Sequence, residues 1–145
     1  MIAIINGPNL NLLGKRQPEI YGTTSFDDCL ADLRFTFPNT EIEYFQSNCE
    51  GEIIDKIHEL GYNTPGCEGI VINPGAYAHY SYAIADAISS IPLPVIEVHI
   101  SNVHARDEFR RKSVTAASAK AMLCGFGMKG YELALRYLIE LRTEG

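Results

Sequence analysis

The sequence predicts an α/β fold in which a five-stranded parallel sheet is covered by helices on both faces. Short β-branched runs alternate with helical patterns from one end of the chain to the other. Several of those runs are apolar at consecutive positions, as in Ala3-Ile4-Ile5 and Ile70-Val71-Ile72. A strand with no polar face suits a sheet buried on both sides. With 145 residues the chain has the length of a single domain, 1–145.

The elements follow in order. Ile2 to Asn6, Ile42 to Ser47, Gly69 to Asn73, Val95 to Ile100 and Ala119 to Cys124 read as strands. The first helix starts after Ser25, an N-cap residue followed by Asp27 and Asp28, whose charges suit the helix dipole. It must stop before Pro38, which cannot continue a helix. Glu50 to Leu60 reads as a second helix, with Gly61 as its terminating glycine. Tyr80 to Ile91 carries Ile84, Ala87, Ile88 and Ile91 at helical spacing. From about Met128 to Arg142, Tyr131, Leu135 and Leu138 form one apolar stripe. This alternation predicts a flavodoxin-like three-layer sandwich with strand order 2-1-3-4-5. Gly7 to Thr24 is long for a first strand-to-helix connection, and long connections are often lids or binding loops.

Composition removes several function classes. A formal net charge of -6 argues against a nucleic-acid binder, although Lys15, Arg16, Arg106, Arg110, Arg111 and Lys112 cluster. Cys29, Cys49, Cys67 and Cys124 form no C-x-x-C pair, and the four histidines show no zinc spacing with them, so no metal is expected. Scattered thiols and the absence of a basic leader point to the cytoplasm. No apolar run approaches the roughly 20 residues needed to span a membrane. Neither G-x-G-x-x-G nor a P-loop occurs, which weakens a dinucleotide reading. No G-x-S-x-G elbow occurs either, which counts against a hydrolase.

In a sheet of this order, ligands bind beyond the carboxyl ends of the strands, beside the reversal between the first and third. Each predicted strand end is polar or glycine-rich: Asn6-Gly7-Pro8-Asn9, Gln46-Ser47-Asn48, Asn73-Pro74-Gly75-Ala76, Glu97-Val98-His99-Ile100-Ser101, Gly125-Phe126-Gly127. Asn9, Asn73, His79, His99 and Ser101 should therefore face one crevice. Amides and hydroxyls suit a hydroxylated ligand, Arg106 and Arg110 suit a carboxylate, and a histidine can protonate a departing hydroxyl near neutral pH. Each residue has a plainer use. Asn9 and Asn73 also serve as turn formers, His99 as a hydrogen-bonded strand end, Tyr21 as packing, and Arg110-Arg111-Lys112 as a solvated face. A flavodoxin-like module that binds an anion without turnover, or a subunit with a purely assembly role, fits these same residues.

The blocks Asn6-Gly7-Pro8-Asn9-Leu10-Asn11-Leu12-Leu13-Gly14 with Arg16, Pro18 and Tyr21-Gly22, then Gln46-Ser47-Asn48 with Glu50-Gly51, then Asn73-Pro74-Gly75-Ala76-Tyr77 with His79, then Glu97 to Arg106, then Gly125-Phe126-Gly127 with Gly130-Tyr131, occur in this order. Together they resemble the type II 3-dehydroquinate dehydratases across essentially the whole chain. The resemblance implies a lyase that removes water from 3-dehydroquinate by anti elimination through an enolate. It implies a place in the shikimate route to aromatic amino acids or in quinate breakdown, no cofactor, and a homododecamer built as a tetramer of trimers. It assigns Tyr21 as base, Arg16 as its neighbouring cation and His99 as proton donor. Asn73, His79, Ile100, Ser101 and Arg110 fall on substrate contacts, and Asp86 reaches an adjacent subunit's site. To these the chemistry adds Asn9 at the enolate oxygen and Glu97, two residues before His99 and so on the same face of the strand, as the group that orients it. Arg106 is expected only to support the others. Pro74, Ala78, Tyr80, Cys49, Ala85 and Gln17 stand where that family commonly has other residues. A Schiff-base dehydratase of (β/α)8 type needs about 250 residues, which this chain lacks.

Overall fold

The computed structural model describes residues 1–144. Among them β1 (Ile2–Asn6), β2 (Ile42–Gln46), β3 (Gly69–Asn73), β4 (Val95–His99) and β5 (Ala121–Cys124) form one parallel sheet in the order β2-β1-β3-β4-β5. The expected order is the observed one. Strand side chains alternate between faces, and the apolar runs fill both. Ile2, Ile4, Val71, Ile96 and Val98 pack beneath α2 (Phe26–Thr36) and α5 (Lys129–Glu144). Ala3, Ile5, Ile70, Ile72 and Val95 pack beneath α3 (Glu50–Tyr62) and α4 (Tyr82–Ser89). All fifteen residues of β1, β3 and β4 are buried, and each buried isoleucine contributes about 1.5–3 kcal/mol.

Helix boundaries obey local chemistry. Ser25 accepts a hydrogen bond from the Asp28 N–H at 3.2 Å and starts α2 where its sequence predicts. Helix α4 begins two residues later than expected because Ser81 is its cap, accepting from the Ile84 N–H at 3.0 Å. The same hydroxyl donates to Glu50 Oε2 at 2.5 Å and ties the starts of α3 and α4 together. Gly61 does not terminate α3, which runs on to Tyr62. Its role is steric: a Cβ there would lie 2.3 Å from Ile91 Cγ2. Strand β5 starts at Ala121 rather than Ala119, because a 3-10 turn over Ala116–Ser118 precedes it.

Two connections position the site. The Gly7 to Thr24 loop holds a 3-10 turn, Leu10–Leu12, and a single helical turn, α1 (Pro18–Tyr21). Between β4 and β5 the chain makes 3-10 turns at Val103–Ala105, Glu108–Arg111 and Ala116–Ser118 in place of a long α-helix.

The carboxyl edge of the sheet is held by a buried polar triangle. Asn6 pairs in register with Gln46 on one side and Asn73 on the other. From α5, the fully buried Tyr131 donates its hydroxyl proton to Asn6 Oδ1 at 2.8 Å and accepts from Asn73 Nδ2 at 3.0 Å. Burial pushes this phenol far up, so it remains a donor. Tyr131→Phe should lower unfolding free energy by about 1–3 kcal/mol, since two amides lose a buried partner. Chemical denaturation showing unchanged stability would refute that role.

Candidate active site

At the reversal between β1 and β3 the two following loops meet closely. The Gly7 N–H donates to the Asn73 carbonyl at 2.7 Å, and a Cβ on Gly7 would lie 2.4 Å from the Pro74 oxygen. Gly75 adopts φ 62° and donates its N–H to Asn73 Oδ1 at 3.1 Å. Asn9 also takes a left-handed conformation, φ 68°, and its N–H is held by Asn48 Oδ1 at 3.0 Å. Asparagine tolerates that geometry better than most residues. No hydrogen bond occupies the Asn9 side chain among the described residues, so it remains open to a ligand.

These loops line a crevice beyond the carboxyl ends of the strands. Asn9, Asn73, His79, His99 and Ser101, expected on one wall, all line it. So do Arg16, Tyr21, Ile100, Arg106 and Arg110. Asp86 does not. It lies exposed on α4 and is absent from the crevice wall, so its expected contact requires a second subunit.

Two hydrogen-bonded pairs open onto this space. The first is Tyr21, carried on α1. Arg106 Nη1 donates to its phenol oxygen at 2.8 Å and to Ser101 Oγ at 3.2 Å. Arg16 instead lies against the ring, its Cζ 5.4 Å from the centroid, while the Arg106 Cζ lies 5.3 Å away. Arg106 is therefore more than a support: its guanidinium, rather than that of Arg16, is the one bonded to the Tyr21 phenol oxygen. The sequence hid this because 85 residues separate the two.

The second pair is His99 and Glu97 at the end of β4. His99 Nε2 lies 2.7 Å from Glu97 Oε2, so Nε2 carries hydrogen and Nδ1 is left for a ligand, as an acceptor in the neutral ring and a donor in the imidazolium. Glu97 is wholly buried. Burial pushes its carboxyl up, but His99, Ser113 and Thr115 together outweigh this and hold it below the usual carboxylate range. Ser113 and Thr115 escaped the sequence reading. The only signal was two hydroxyl residues two apart after a basic run.

His79 faces His99, with ring centroids 6.3 Å apart. Its Nδ1 lies 2.8 Å from the Lys112 carbonyl, so this nitrogen carries hydrogen and Nε2 is left as an acceptor. Phe109 packs edge-on against the His79 ring. Arg110 has a buried Nε with no hydrogen-bond partner among the described residues, although Asp107 Oδ2 lies 4.0 Å from it, and its Cζ lies 4.7 Å from the Phe109 ring centroid. An unsatisfied buried N–H of a guanidinium favours an anionic ligand.

Comparison with known proteins agrees over nearly the full length. The family described as Dehydroquinase class II matches residues 1–139. A 3-dehydroquinate dehydratase of Caldicellulosiruptor bescii is 53% identical over 142 residues, covering 97% of each chain. Another, from Bacillus subtilis, is 52% identical over 139 residues, covering 94% of this chain and 91% of its own. The crystal structure of type II dehydroquinase from Butyrivibrio crossotus superposes with a TM-score of 0.90 at 50% identity, covering 94% of this chain and 95% of the other.

The setting of His79 yields a spectroscopic expectation. Burial, aided by His99 and Arg110, holds its imidazole below the ordinary range, outweighing the Lys112 carbonyl, which acts the other way. In nitrogen-detected NMR of the free protein, His79 should be the neutral Nδ1–H tautomer at pH 7. A cationic ring at that pH would contradict the assignment.

Proposed function

The chain belongs to the class II dehydroquinase family, and we propose that it acts as a hydro-lyase converting 3-dehydroquinate to 3-dehydroshikimate and water, a step of the shikimate route to aromatic amino acids. One juxtaposition carries this: a phenol bonded to a guanidinium and an imidazole bonded to a carboxylate open onto the same crevice.

The substrate has a carbonyl, an adjacent C–H and a hydroxyl one carbon further on. Tyr21, as phenolate, takes the α-proton, and the C–H electron pair becomes an enolate. A guanidinium that donates to the phenol oxygen makes a charge-assisted hydrogen bond with it. Arg106 makes that contact, and Arg16 adds positive charge against the ring. Asn9, through a bridging water, donates to the enolate oxygen. The enolate then expels the hydroxyl anti to the lost hydrogen, and His99 delivers its Nδ1 proton to make water. Glu97 fixes the ring. Asn73, His79 and Ser101 hold substrate hydroxyls and carboxylate, Ile100 contributes at the strand end, and Arg110 binds the carboxylate with the N–H that otherwise lacks a partner. No step in this scheme needs a metal or cofactor.

We assign the working form as a homododecamer, a tetramer of trimers, in which Asp86 completes a neighbour's site. The exposure of Asp86 on α4, outside its own crevice, supports this. The cytoplasm is the proposed location. Four free thiols fit a reducing compartment, and among the described residues no helix is long and apolar enough to cross a membrane.

Purified protein mixed with 3-dehydroquinate should produce the ultraviolet absorbance of the enone, and borohydride should not inhibit it. Tyr21→Phe should reduce kcat by about 10²- to 10⁴-fold, and Arg106→Ala by a similar amount without loss of fold. A Tyr21→Phe enzyme with near-normal turnover would remove the base assignment. Light scattering should give twelve times the 16.1 kDa chain mass. Co-refolded mixtures of inactive Tyr21→Phe and Asp86→Ala chains should regain activity, because mixed trimers contain some sites with neither lesion. Mixtures that stay inactive would rule out a shared site.

A further inference from the structure

We propose that Ser113 and Thr115 are positioning residues for the elimination: a pair of hydroxyls that hold the Glu97 carboxylate in place and thereby keep His99 turned toward the crevice as the acid. This rests on the reading of His99 as proton donor and extends it to two residues outside the crevice wall.

Glu97 lies between Ile72 and Met122 in the sheet register, with no exposed surface. An ionised carboxylate there is tolerable only if donors surround it. It has three. His99 Nε2 and Ser113 Oγ reach Oε2 at 2.7 and 2.6 Å, and Thr115 Oγ1 donates to Oε1. A hydroxyl has one hydrogen. Ser113 and Thr115 each spend theirs on Glu97, so the 3.1 Å contact between their oxygens carries none. Ser113 Oγ is oriented in turn by accepting the Ala116 N–H at 3.0 Å. Thr115 is wholly buried and makes no contact with the crevice. Such groups serve the carboxylate rather than the ligand.

The same strap acts on the second histidine. Lys112 supplies the carbonyl that fixes His79 Nδ1–H, and the Val114 N–H pins the strap to the Ala78 carbonyl at 2.8 Å. Four consecutive residues thus set the proton position on both facing rings. The titratable groups around Glu97 are His99 on β4 and His79 on the turn after β3, and Arg110, on the turn before the strap, acts on His79. The register neighbours Ile72 and Met122 are apolar. With the hydroxyl donors gone, Glu97 takes up a proton at higher pH, and it then no longer holds the imidazolium.

Steady-state kinetics against pH on Ser113→Ala, Thr115→Val, Thr115→Ser and His99→Asn test this, with circular dichroism to confirm folding. Ser113→Ala and Thr115→Val should each lower kcat about 10- to 100-fold, the worth of a hydrogen bond to a charged group. KM should stay within about threefold, because neither residue touches substrate. The acid limb of the kcat profile should move upward by about one pH unit. Thr115→Ser keeps the donor and should restore most of the rate, and it answers the question should Thr115→Val fail to fold. Wild-type kcat and an unmoved acid limb in folded Ser113→Ala, beside an inactive His99→Asn, overturn the proposal alone. A Thr115→Ser enzyme as impaired as Thr115→Val overturns it too. An active His99→Asn enzyme overturns the acid assignment, and this proposal with it.

Discussion

A carboxylate with no exposed surface stands in the middle of β4, and much of the site is arranged to keep it charged. Glu97 could have been apolar at no cost to the sheet, since both of its register neighbours are. As an ionised group it must collect donors from wherever the chain can supply them. One comes from two residues further along its own strand, and two come from a strap that crosses beneath the crevice. The strap also explains why the β4–β5 connection is built from short 3-10 turns. A long helix there would bury its hydroxyls in its own capping and would not lay Ser113 and Thr115 against β4.

Polar order at the reversal of the sheet solves a different problem. Asn6 and Asn73 sit side by side at the ends of β1 and β3, with backbone groups that leave the ladder and must find partners. Tyr131 serves both side chains from α5, while the two loops are locked by the Gly7 to Asn73 and Gly75 to Asn73 contacts. Hydrogen bonds within the protein thus hold the crevice floor without help from a ligand.

The fold was legible because its signals are local or periodic. Uninterrupted apolar triplets in β1 and β3 announced burial on both faces, and Ser25 with Asp27 and Asp28 announced α2. Gly61 misled because a glycine near a helix end reads the same whether it caps the helix or makes room for Ile91. Most of the crevice wall was legible too, since each strand of a parallel sheet delivers its polar terminus to one edge. Contacts between distant segments were not. Arg106 and Tyr21, Thr115 and Glu97, and Tyr131 and Asn6 are pairs whose partners are fixed by topology, and spacing along the chain says nothing about them. Asp86 lies beyond both kinds of reading, because its proposed partner belongs to another molecule.

Residues 15–24 are fastened lightly. Among the described residues their hydrogen bonds run within the loop, apart from the one that joins Tyr21 to Arg106. That single clasp is strongest while the phenol oxygen carries charge and weaker once it holds a proton. In the proposed mechanism, grip on this loop is firm while the oxygen is ready to abstract hydrogen and slack just after it has done so. On that reading, opening the loop and recharging the phenol are two faces of one event.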